Sequence, residues 1–333
     1  MRPIAASMRV LLALAALASA ACAPARDAPA AAGWHFVPGS FAPGRGPDGN
    51  SVFLDAPEGL ILVDTGRHPA HQEKLLAHAR ERGRPVAAIV NTHWHLDHSG
   101  GNAEMRAAHP GAQVYATPAV EGALTGFFPQ SRARAEEFLA SGQAGPELEA
   151  EIRRDFAAMD DVASLRATRP VVRSGNMRIA GRALQVNVAA FAATEADLWI
   201  YDESEKLLVA GDLVVGPVPF VDTACPEGWR KALDRIAATP FRTLVPGHGG
   251  PMSRERFLAW RTAFDNLLDC AASPQVREAC VADWKKDAAF FIAESGRDVD
   301  GMVGYYLDSR LRAPPEERDR FCRPLRQGMT ASG

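Results

Sequence analysis

The chain has 333 residues and a formal net charge of −3, with a sequence pI near 6.3. This length allows one large domain or two ordinary ones, and 47% hydrophobic with 23% charged residues is the composition of a soluble globular protein. No basic stripe is available for a phosphate backbone, so the sequence argues against a nucleic-acid partner.

An export signal is predicted at the N-terminus. Arg2 and Arg9 precede the apolar run VLLALAALASAA, which small residues follow at once. A run of about 12 residues is too short for a bilayer span, which needs about 20, so it is typical of a signal peptide over residues 1–23. The segment SAAC also resembles a lipoprotein signal, which leaves a lipid anchor at Cys22 open. We expect a periplasmic or secreted protein without a membrane span; a buried N-terminal helix is the alternative.

The cysteines fit an exported protein. Removal of the signal would leave four of them, an even number, in an oxidising compartment where disulfides persist. Four cysteines allow three pairings. We expect Cys270 to pair with Cys280, closing a short loop, and Cys225 to pair with Cys322, pinning the C-terminus. Four buried free thiols are the alternative if the chain is not exported.

Strands and helices alternate after a Pro/Ala/Gly-rich leader that ends near Gly49. The runs SVFLD and GLILVD predict two strands joined by the turn APEG, and AHQEKLLAHARER predicts a helix. The run PVAAIVN predicts a buried strand, and the loop THWHLDHSGG follows it. Asn102 is expected to cap a short helix that ends at HPG. This order of elements is that of an α/β protein.

Residues 118–165 are rich in Arg, Glu and Ala and lack strand signals, which predicts an insertion of two or three helices. Strand signals return in NMRIAG, RALQVNV, DLWIY and KLLVAGDLVV. A helix, the strand RTLV, the loop PGHGGP and a long helical tail complete the chain. Without an internal repeat or a linker, one catalytic domain with helical additions is favoured.

The run HWHLDH, residues 93–98, follows a predicted buried strand. In extended backbone His93, His95 and Asp97 point to one side, and a turn can bring His98 towards the same point. Imidazole nitrogen and carboxylate oxygen are, besides thiolate, the ligands that zinc prefers. The run therefore predicts a metal site. A solvated loop that binds nothing is the alternative.

HxHxDH after a strand resembles the signature of the metallo-β-lactamase-fold superfamily. Further elements stand in the same order: VDTG ending at Gly66, AGD ending at Asp212 and PGHG around His248. The resemblance runs from about Asn50 to Gly250. It implies an α/β fold, a four-layer αβ/βα sandwich with two metal positions at one edge.

The resemblance also implies a division of the chain. We expect a metallo-β-lactamase-like domain over residues 34–265, with the helical insertion at about 118–165 and a helical C-terminal extension over 266–333. By motif match, it assigns ligands to a first metal (His93, His95), to a second metal (Asp97, His98, His248) and to a bridge between both (Asp212). Asp64 would support the loops without binding metal.

Ala193 stands where the family has a further histidine. That histidine normally lies in a loop written H-T-x-G-D. When the aspartate of this loop is aligned with Asp197, the histidine falls on Ala193, whose methyl group cannot bind metal. The first position could then hold metal less firmly than the second, since three protein ligands and water still form a catalytic zinc site. Alternatively, Glu195, His68 or His71 could complete the first metal position. His68 and His71 stand in the first turn of a polar helix, however, where histidines are more often solvated.

The implied function is that of a zinc-dependent hydrolase with one or two Zn²⁺ per chain. A metal-bound hydroxide would cleave an ester, thioester, lactone, amide or phosphoester bond of a small-molecule substrate. Asp97 would orient the hydroxide and pass its proton to the leaving group. Asp212 argues mildly against a β-lactamase, where the family usually has Cys or Ser. A β-lactamase-type amide hydrolase and a non-catalytic metal-binding or ligand-binding protein are the alternatives.

The substrate pocket can be predicted only in outline. Val218, Phe220 and Trp229 are expected as walls, and Phe127 and Phe128 of the insertion as a lid; core packing is the alternative for all five. The sequence predicts neither the substrate nor the oligomeric state.

Overall fold

Two six-stranded β-sheets form the centre of the fold in a computed structural model, which describes residues 33–41 and 46–323. From edge to edge, the first sheet contains β1 (Trp34–Val37), β2 (Ser51–Ala56), β3 (Gly59–Val63), β4 (Val86–Val90), β5 (Gln113–Ala116) and β6 (Arg169–Pro170). From edge to edge, the second sheet contains β12 (Met252–Ser253), β11 (Thr243–His248), β10 (Leu207–Val215), β9 (Ala196–Asp202), β8 (Arg182–Ala190) and β7 (Gly175–Ile179).

Helices connect and cover the sheets. Those that precede β7 are α1 (Pro69–Arg82), α2 (Leu96–Ser99), α3 (Asn102–Ala108), α4 (Val120–Thr125), α5 (Phe127–Ala140), α6 (Pro146–Asp160) and α7 (Val162–Leu165). Those that follow β10 are α8 (Pro226–Ala238), α9 (Arg254–Ala272), α10 (Arg277–Asp287), α11 (Ala289–Ser295), α12 (Asp300–Tyr306), a π-helical turn (Leu307–Leu311) and α13 (Pro315–Arg318).

Both faces of each sheet are buried, which explains the nearly continuous apolar runs of the central strands. In β3, Ile61 and Val63 pack between the two sheets, whereas Leu60 and Leu62 pack under α1 and α3. β10 alternates in the same way between the other sheet and the C-terminal helices. The layers are therefore helix, sheet, sheet and helix, and the predicted αβ/βα sandwich is confirmed.

The strands predicted from long apolar runs are present, and the short ones at the sheet margins were missed. β1, β5, β6 and β12 have only two to four residues each, and Gly, Pro or polar residues surround them. Runs this short pair because neighbouring strands are already in place, so the local sequence carries little signal for them.

Asn102 does not cap α3. Gly101 is the capping residue, and the Asn102 side chain donates instead to Asn91 Oδ1 at 2.8 Å and to the Ser164 carbonyl at 3.0 Å. The Asn102 side chain is fully buried, so its amide must be satisfied inside the protein. It thereby ties the loop after β4 to the end of the helical segment 118–165.

The four helices α4 to α7 lie within that segment and pack on the loop that follows β4. Trp94 and Leu96 of this loop form one buried apolar cluster with Val120, Phe128 and Leu165. Segment 118–165 therefore covers the loop in which the predicted metal ligands lie.

Both expected disulfides are present. Cys225 pairs with Cys322 across a sequence separation of 97 residues, and Cys270 pairs with Cys280 across 10. The longer connection anchors the C-terminal helices to the segment between β10 and α8. Disulfides persist in oxidising compartments, so the two bonds are compatible with an extracellular or periplasmic protein.

The predicted signal peptide and the open lipid anchor at Cys22 lie outside the described residues. Within residues 33–41 and 46–323, no helix combines the length and the apolar character needed to cross a bilayer.

Candidate metal centre

The six predicted metal ligands lie together, four of them directly after β4 of the first sheet and two of them in β10 and β11 of the second sheet. His93 and His95 lie in the bend after β4, Asp97 and His98 lie in the helical turn α2, and all four are buried. α2 begins at Leu96, so Asp97 projects from a helix and not, as expected, from extended backbone. Six histidine and aspartate side chains from distant parts of the sequence thus converge: His93, His95, Asp97, His98, Asp212 and His248.

The second position is a compact group of four donors. His98 Nε2 lies 3.1 Å from Asp212 Oδ1, 3.6 Å from Asp97 Oδ2 and 3.4 Å from His248 Nε2. His248 Nε2 lies 3.1 Å from Asp97 Oδ2 and 3.5 Å from Asp212 Oδ1. Ligand atoms bound at about 2.0–2.1 Å to a tetrahedral ion stand about 3.3–3.4 Å apart. The five separations, from 3.1 to 3.6 Å, are close to that value.

The first position is less complete. His93 Nε2 lies 2.9 Å from His95 Nδ1 and 3.8 Å from Asp212 Oδ2. The two oxygens of Asp212 therefore face different groups, Oδ2 towards His93 and Oδ1 towards His98 and His248. This orientation suits a carboxylate that bridges two ions.

Asp64 orients His98 and the start of the metal loop. Its carboxylate accepts hydrogen bonds from the Thr92 amide and the Thr92 hydroxyl, both at 2.7 Å, and lies 2.8 Å from His98 Nδ1. With Nδ1 bonded to the carboxylate, His98 presents Nε2 to the cluster. Asp64 is thus placed for the supporting role that the resemblance implies.

Two glycines let the backbone lie directly against these ligands. A Cβ atom at Gly247 would stand 1.9 Å from Asp212 Oδ1, and one at Gly49 would stand 2.4 Å from the His98 ring. No side chain fits at either position, which explains why both residues are glycine.

Burial and charge act in opposite directions on the cluster. Burial lowers the pKa of His95 to about 4 and that of His93 well below its ordinary value, so both imidazoles are neutral at pH 7. Burial alone would raise the pKa of Asp97 and of Asp212, but the His98 charge reverses this and holds both pKa values below the ordinary range. His93 and His95 are thus in the neutral form that binds a cation. Burial lowers the pKa of His98, but the Asp212, Asp97 and Asp64 carboxylates outweigh it and raise that pKa well above its ordinary value, so His98 must release a proton to bind a cation.

Ala193 lies buried in the turn between β8 and β9, close to the first position. Its carbonyl oxygen accepts a hydrogen bond of 2.9 Å from the Thr223 hydroxyl, and the same hydroxyl lies 3.1 Å from His95 Nε2. Thr223 has no exposed surface. Sequence reasoning missed Thr223, because the segment after Asp212 carries no motif and Thr223 is 128 residues from His95.

The three residues considered as replacement ligands have other partners. The Glu195 carboxylate accepts a hydrogen bond of 3.1 Å from the Trp94 indole. His71 Nε2 lies 2.9 Å from the Ser51 hydroxyl.

His68 lies between two carboxylates, with Nδ1 2.9 Å from Asp48 and Nε2 3.1 Å from Glu151. The expectation that His68 and His71 are solvated was wrong. Both are buried, because residue 48 and helix α6 close over the start of α1.

The donor set fits a divalent metal ion. Two groups have all their ligand atoms within 4.8 Å of one another, one of His93, His98 and Asp212 and the other of Asp97, His98 and His248. Among the described residues, Asp212 Oδ1 is buried without a well-aligned hydrogen bond, although His98 Nε2 lies 3.1 Å away and buried carboxylate oxygens are normally satisfied. A cation between these groups would supply the missing partner.

Comparison with known proteins agrees with this geometry. The family model described as the metallo-beta-lactamase superfamily matches residues 44–248. The chain belongs to this superfamily. Members of the superfamily are metal-dependent hydrolases.

Similar superfamily proteins differ in their named activities. A linear primary-alkylsulfatase of Pseudomonas sp. (strain ATCC 19151) is 30% identical over 227 residues, which are 60% of this chain and 41% of the relative. A hydroxyacylglutathione hydrolase of Gloeobacter violaceus is 41% identical over 80 residues, which are 23% of this chain and 30% of the relative. The chain therefore spans less than half the length of either relative. The crystal structure of a metallo-beta-lactamase family protein from Thermus thermophilus shares the fold, with a TM-score of 0.56 and 20% identity over 83% of this chain and 94% of that one.

A cavity of about 410 Å³ opens onto the donor cluster of this superfamily member. His95, Asp97, Asp212 and His248 line one end of it. Apolar side chains from the insertion, the metal loop and the C-terminal segments form most of its wall: Trp94, Phe127, Phe128, Met159, Val218, Phe220, Met302 and Tyr306. Four of the five predicted wall and lid residues are among them.

Trp229, the fifth, was predicted wrongly. Its side chain has no exposed surface, donates from its indole to the Leu213 carbonyl and packs against Phe264. It belongs to the core between the second sheet and α9 because α8 turns its apolar face inward.

Proposed function

We propose that the protein is a zinc-dependent hydrolase that cleaves an ester-type bond in a substrate with an apolar portion. The observation that carries the proposal is the apolar cavity that ends on Asp97, Asp212 and His248. Sites for small molecules are concave and mostly apolar with a few converging polar groups, and this cavity has that form.

The proposed ligands are the two sets implied by the sequence. His93 and His95 would hold the first ion, Asp97, His98 and His248 the second, and Asp212 both. When bound, zinc polarises the bond to be cleaved and makes an attacking water more acidic.

Asp97 is the proposed proton carrier. Its carboxylate lines the cavity, and its lowered pKa keeps it ionised at neutral pH. It would take a proton from the attacking water and return it to the leaving oxygen. Water is thereby added across the ester bond, which yields an acid and an alcohol, while the aromatic walls exclude bulk water.

Sulfate esters of alkyl alcohols are the substrates that we propose to test first. The alkylsulfatase named above is similar over more than half of this chain. Arg297 lines the cavity, stacks on the Phe41 ring at 4.4 Å and forms no ion pair within the described residues. The Phe41 ring centre lies 5.2 Å from that of His248, so Phe41 separates the Arg297 guanidinium from the donor cluster by one ring. Such a group would bind the anionic end of a substrate.

The test is a substrate panel assayed with zinc-loaded and with chelator-treated protein. It contains alkyl sulfates of increasing chain length and matched carboxylic esters, thioesters, lactones, phosphoesters and β-lactams. We expect metal-dependent hydrolysis that improves with chain length for one of the ester classes. Bound zinc without turnover on any member of the panel would show that the protein is a binding protein.

A pair of phenylalanines on the same helix provides the matched control. Phe127 lines the cavity, whereas Phe138 on α5 is outside it and partly exposed. Phe127→Ala should lower kcat/KM for long-chain substrates about 10-fold or more, because burial of an alkyl chain against the ring contributes about 1.5–3 kcal/mol. Phe138→Ala should leave kcat/KM unchanged. Equal effects of the two substitutions on kcat/KM would show that the substrate does not bind in this cavity.

We also propose that the protein is exported and acts on a small molecule. Two disulfides support export, and residues 34–265 would form the catalytic domain with 266–333 as its helical extension.

A further inference from the structure

We propose that Thr223, held by the carbonyl of Ala193, fixes which ring nitrogen of His95 is available to a metal ion. This rests on the metal site of the proposed function but not on the substrate or on turnover. The proposal makes Thr223 a positioning residue for the first metal position and gives the backbone of Ala193 a part in that position.

The positions of the hydrogens follow from donor counting. The Ala193 carbonyl can only accept, so the single hydrogen of the Thr223 hydroxyl points to it over 2.9 Å. The Thr223 oxygen can then only accept from His95 Nε2, 3.1 Å away. A neutral imidazole carries one N–H, and in His95 it is thereby placed on Nε2. The lone pair of Nδ1 is left free, and Nδ1 is the atom that faces His93.

A second threonine treats His93 in the same way. The Thr92 hydroxyl donates its hydrogen to Asp64 Oδ2 at 2.7 Å, so its oxygen accepts from His93 Nδ1 at 3.1 Å. His93 Nε2 is then also free of hydrogen.

Two hydrogen-free nitrogens, His93 Nε2 and His95 Nδ1, thus face each other at 2.9 Å in a buried site. Their lone pairs repel unless a metal ion or a proton lies between them or one ring changes its tautomer. Thr92 and Thr223 oppose the tautomer change and so favour a cation between the two nitrogens. Partners of this kind around metal-binding histidines typically change metal affinity about 10–100-fold.

Ala193 therefore takes part in the first position without being a ligand. Its side chain cannot bind metal, yet its carbonyl holds the hydroxyl that orients His95. Cys225 N donates to the neighbouring Ala192 carbonyl at 2.8 Å, which fixes the Thr223 segment against this turn.

The experiment compares three variants. Thr223→Val removes the hydroxyl with nearly unchanged shape, and Thr223→Ser restores it. Thr117→Val is the matched control, because Thr117 is also buried and donates to a backbone carbonyl, that of Ala196 at 2.8 Å, but bonds to no histidine among the described residues. Each chain is titrated with zinc, and the ¹⁵N shifts of the His95 ring are recorded in the metal-free protein at neutral pH. The His95 signals are assigned with His95→Gln.

We expect wild type and Thr223→Ser to show His95 protonated at Nε2. Thr223→Val should show a mixture of tautomers and a zinc affinity at the first position lowered about 10–100-fold, with the second position unchanged. Thr117→Val should match wild type in both measurements. A wild-type tautomer and wild-type zinc affinity in Thr223→Val would overturn the proposal, as would an equal loss in Thr117→Val. Turnover enters neither measurement, so a chain inactive on every substrate could still pass this test.

Discussion

The two proposed metal positions would share Asp212 but differ in how completely the chain surrounds them. Around the proposed second position, five separations among four protein donors are close to those of tetrahedral ligands, and one of the donors is a carboxylate that we assign to this position alone. Around the first, the structure places two imidazoles and one oxygen of Asp212, and the turn in which the family resemblance predicts a third imidazole contains Ala193. The first position is instead held in shape from outside, through Thr92 and Thr223.

The difference indicates that the bonds to a metal ion and the orientation of the ligands that make them can come from different residues within one site. An ion at the second position gains direct bonds and the charge of Asp97. An ion at the first gains fewer bonds, but it relieves the repulsion of two lone pairs that the surrounding hydroxyls hold in place. We therefore expect both positions to bind zinc, with unequal affinity.

Removal of the proposed shared ligand, Asp212, should weaken zinc binding at both positions. Asp212→Ala is expected to lose zinc from both positions and to lower kcat/KM by about 10³-fold or more, since a bound metal contributes several kcal/mol to the transition state. Metal content per chain and hydrolysis of the best ester of the panel measure this. Asp202→Ala is the control, because Asp202 is equally buried but pairs with Arg182. Wild-type zinc affinity at either position in Asp212→Ala would show that Asp212 is not the bridge.

Changing one ligand at a time should separate the positions. We expect His248→Ala to remove the tightly held ion and His95→Ala to remove only the weakly held one. Metal content after dialysis against limiting zinc should then fall below one per chain in the first variant and stay near one in the second. The reverse result would exchange the two assignments.

Supplying the absent ligand should make the positions more alike. Ala193→His is expected to raise the zinc retained after dialysis against limiting zinc towards two ions per chain, with an affinity gain of about 10-fold or more at the first position. Ala193 is buried, so Ala193→Cys serves as a smaller second variant that also offers a metal ligand. Circular dichroism would establish that both fold. Unchanged stoichiometry in both, with loss of zinc in Glu195→Gln, would show that Glu195 already completes the position.

A smaller effect is expected where a buried histidine supports the surroundings of the second position. Residue 48 precedes Gly49, whose backbone packs on His98, and its carboxylate binds His68. The hydrogen bond to Asp48 raises the pKa of His68. Burial alone would raise the pKa of Asp48, but the bonds to His68 outweigh burial and lower that pKa to about 2.

The stabilisation from His68 is therefore complete below its ordinary pKa of about 6.5 and is lost as the pH rises through the raised value. That from Asp48 is complete above about pH 4 and is lost as the pH falls towards 2. His68→Asn should lower the free energy of unfolding by about 1.5–3 kcal/mol between about pH 4 and 6.5, and by less outside that range. Urea unfolding of both chains from pH 3 to 9 measures the difference, and a constant difference would contradict this account.

The sequence predicted the sandwich and the set of donors because both depend on local patterns. Apolar runs such as GLILV mark strands buried on both faces, and HWHLDH puts four donors into one loop. Asp212 and His248 were found through motif order, and the structure brings them to the same point.

The residues that the sequence did not reveal act through long-range contacts. Thr223 meets His95 across 128 residues, and a single threonine in an apolar segment has no distinctive pattern. His68 looked solvated in a polar helical turn, but α6 covers it with a carboxylate. Trp229 looked like a pocket wall because its neighbours are, yet helical periodicity turns it into the core.

A calorimetric titration of the metal-free chain with zinc at pH 7.5 tests most directly whether the two positions differ in zinc affinity. We predict two binding events. One ion binds at the second position, and a further ion then binds at the first position with an affinity at least about 10-fold lower. Two ions bound with equal affinity would contradict the account, and so would a single event that reaches saturation at one ion and leaves the first position empty.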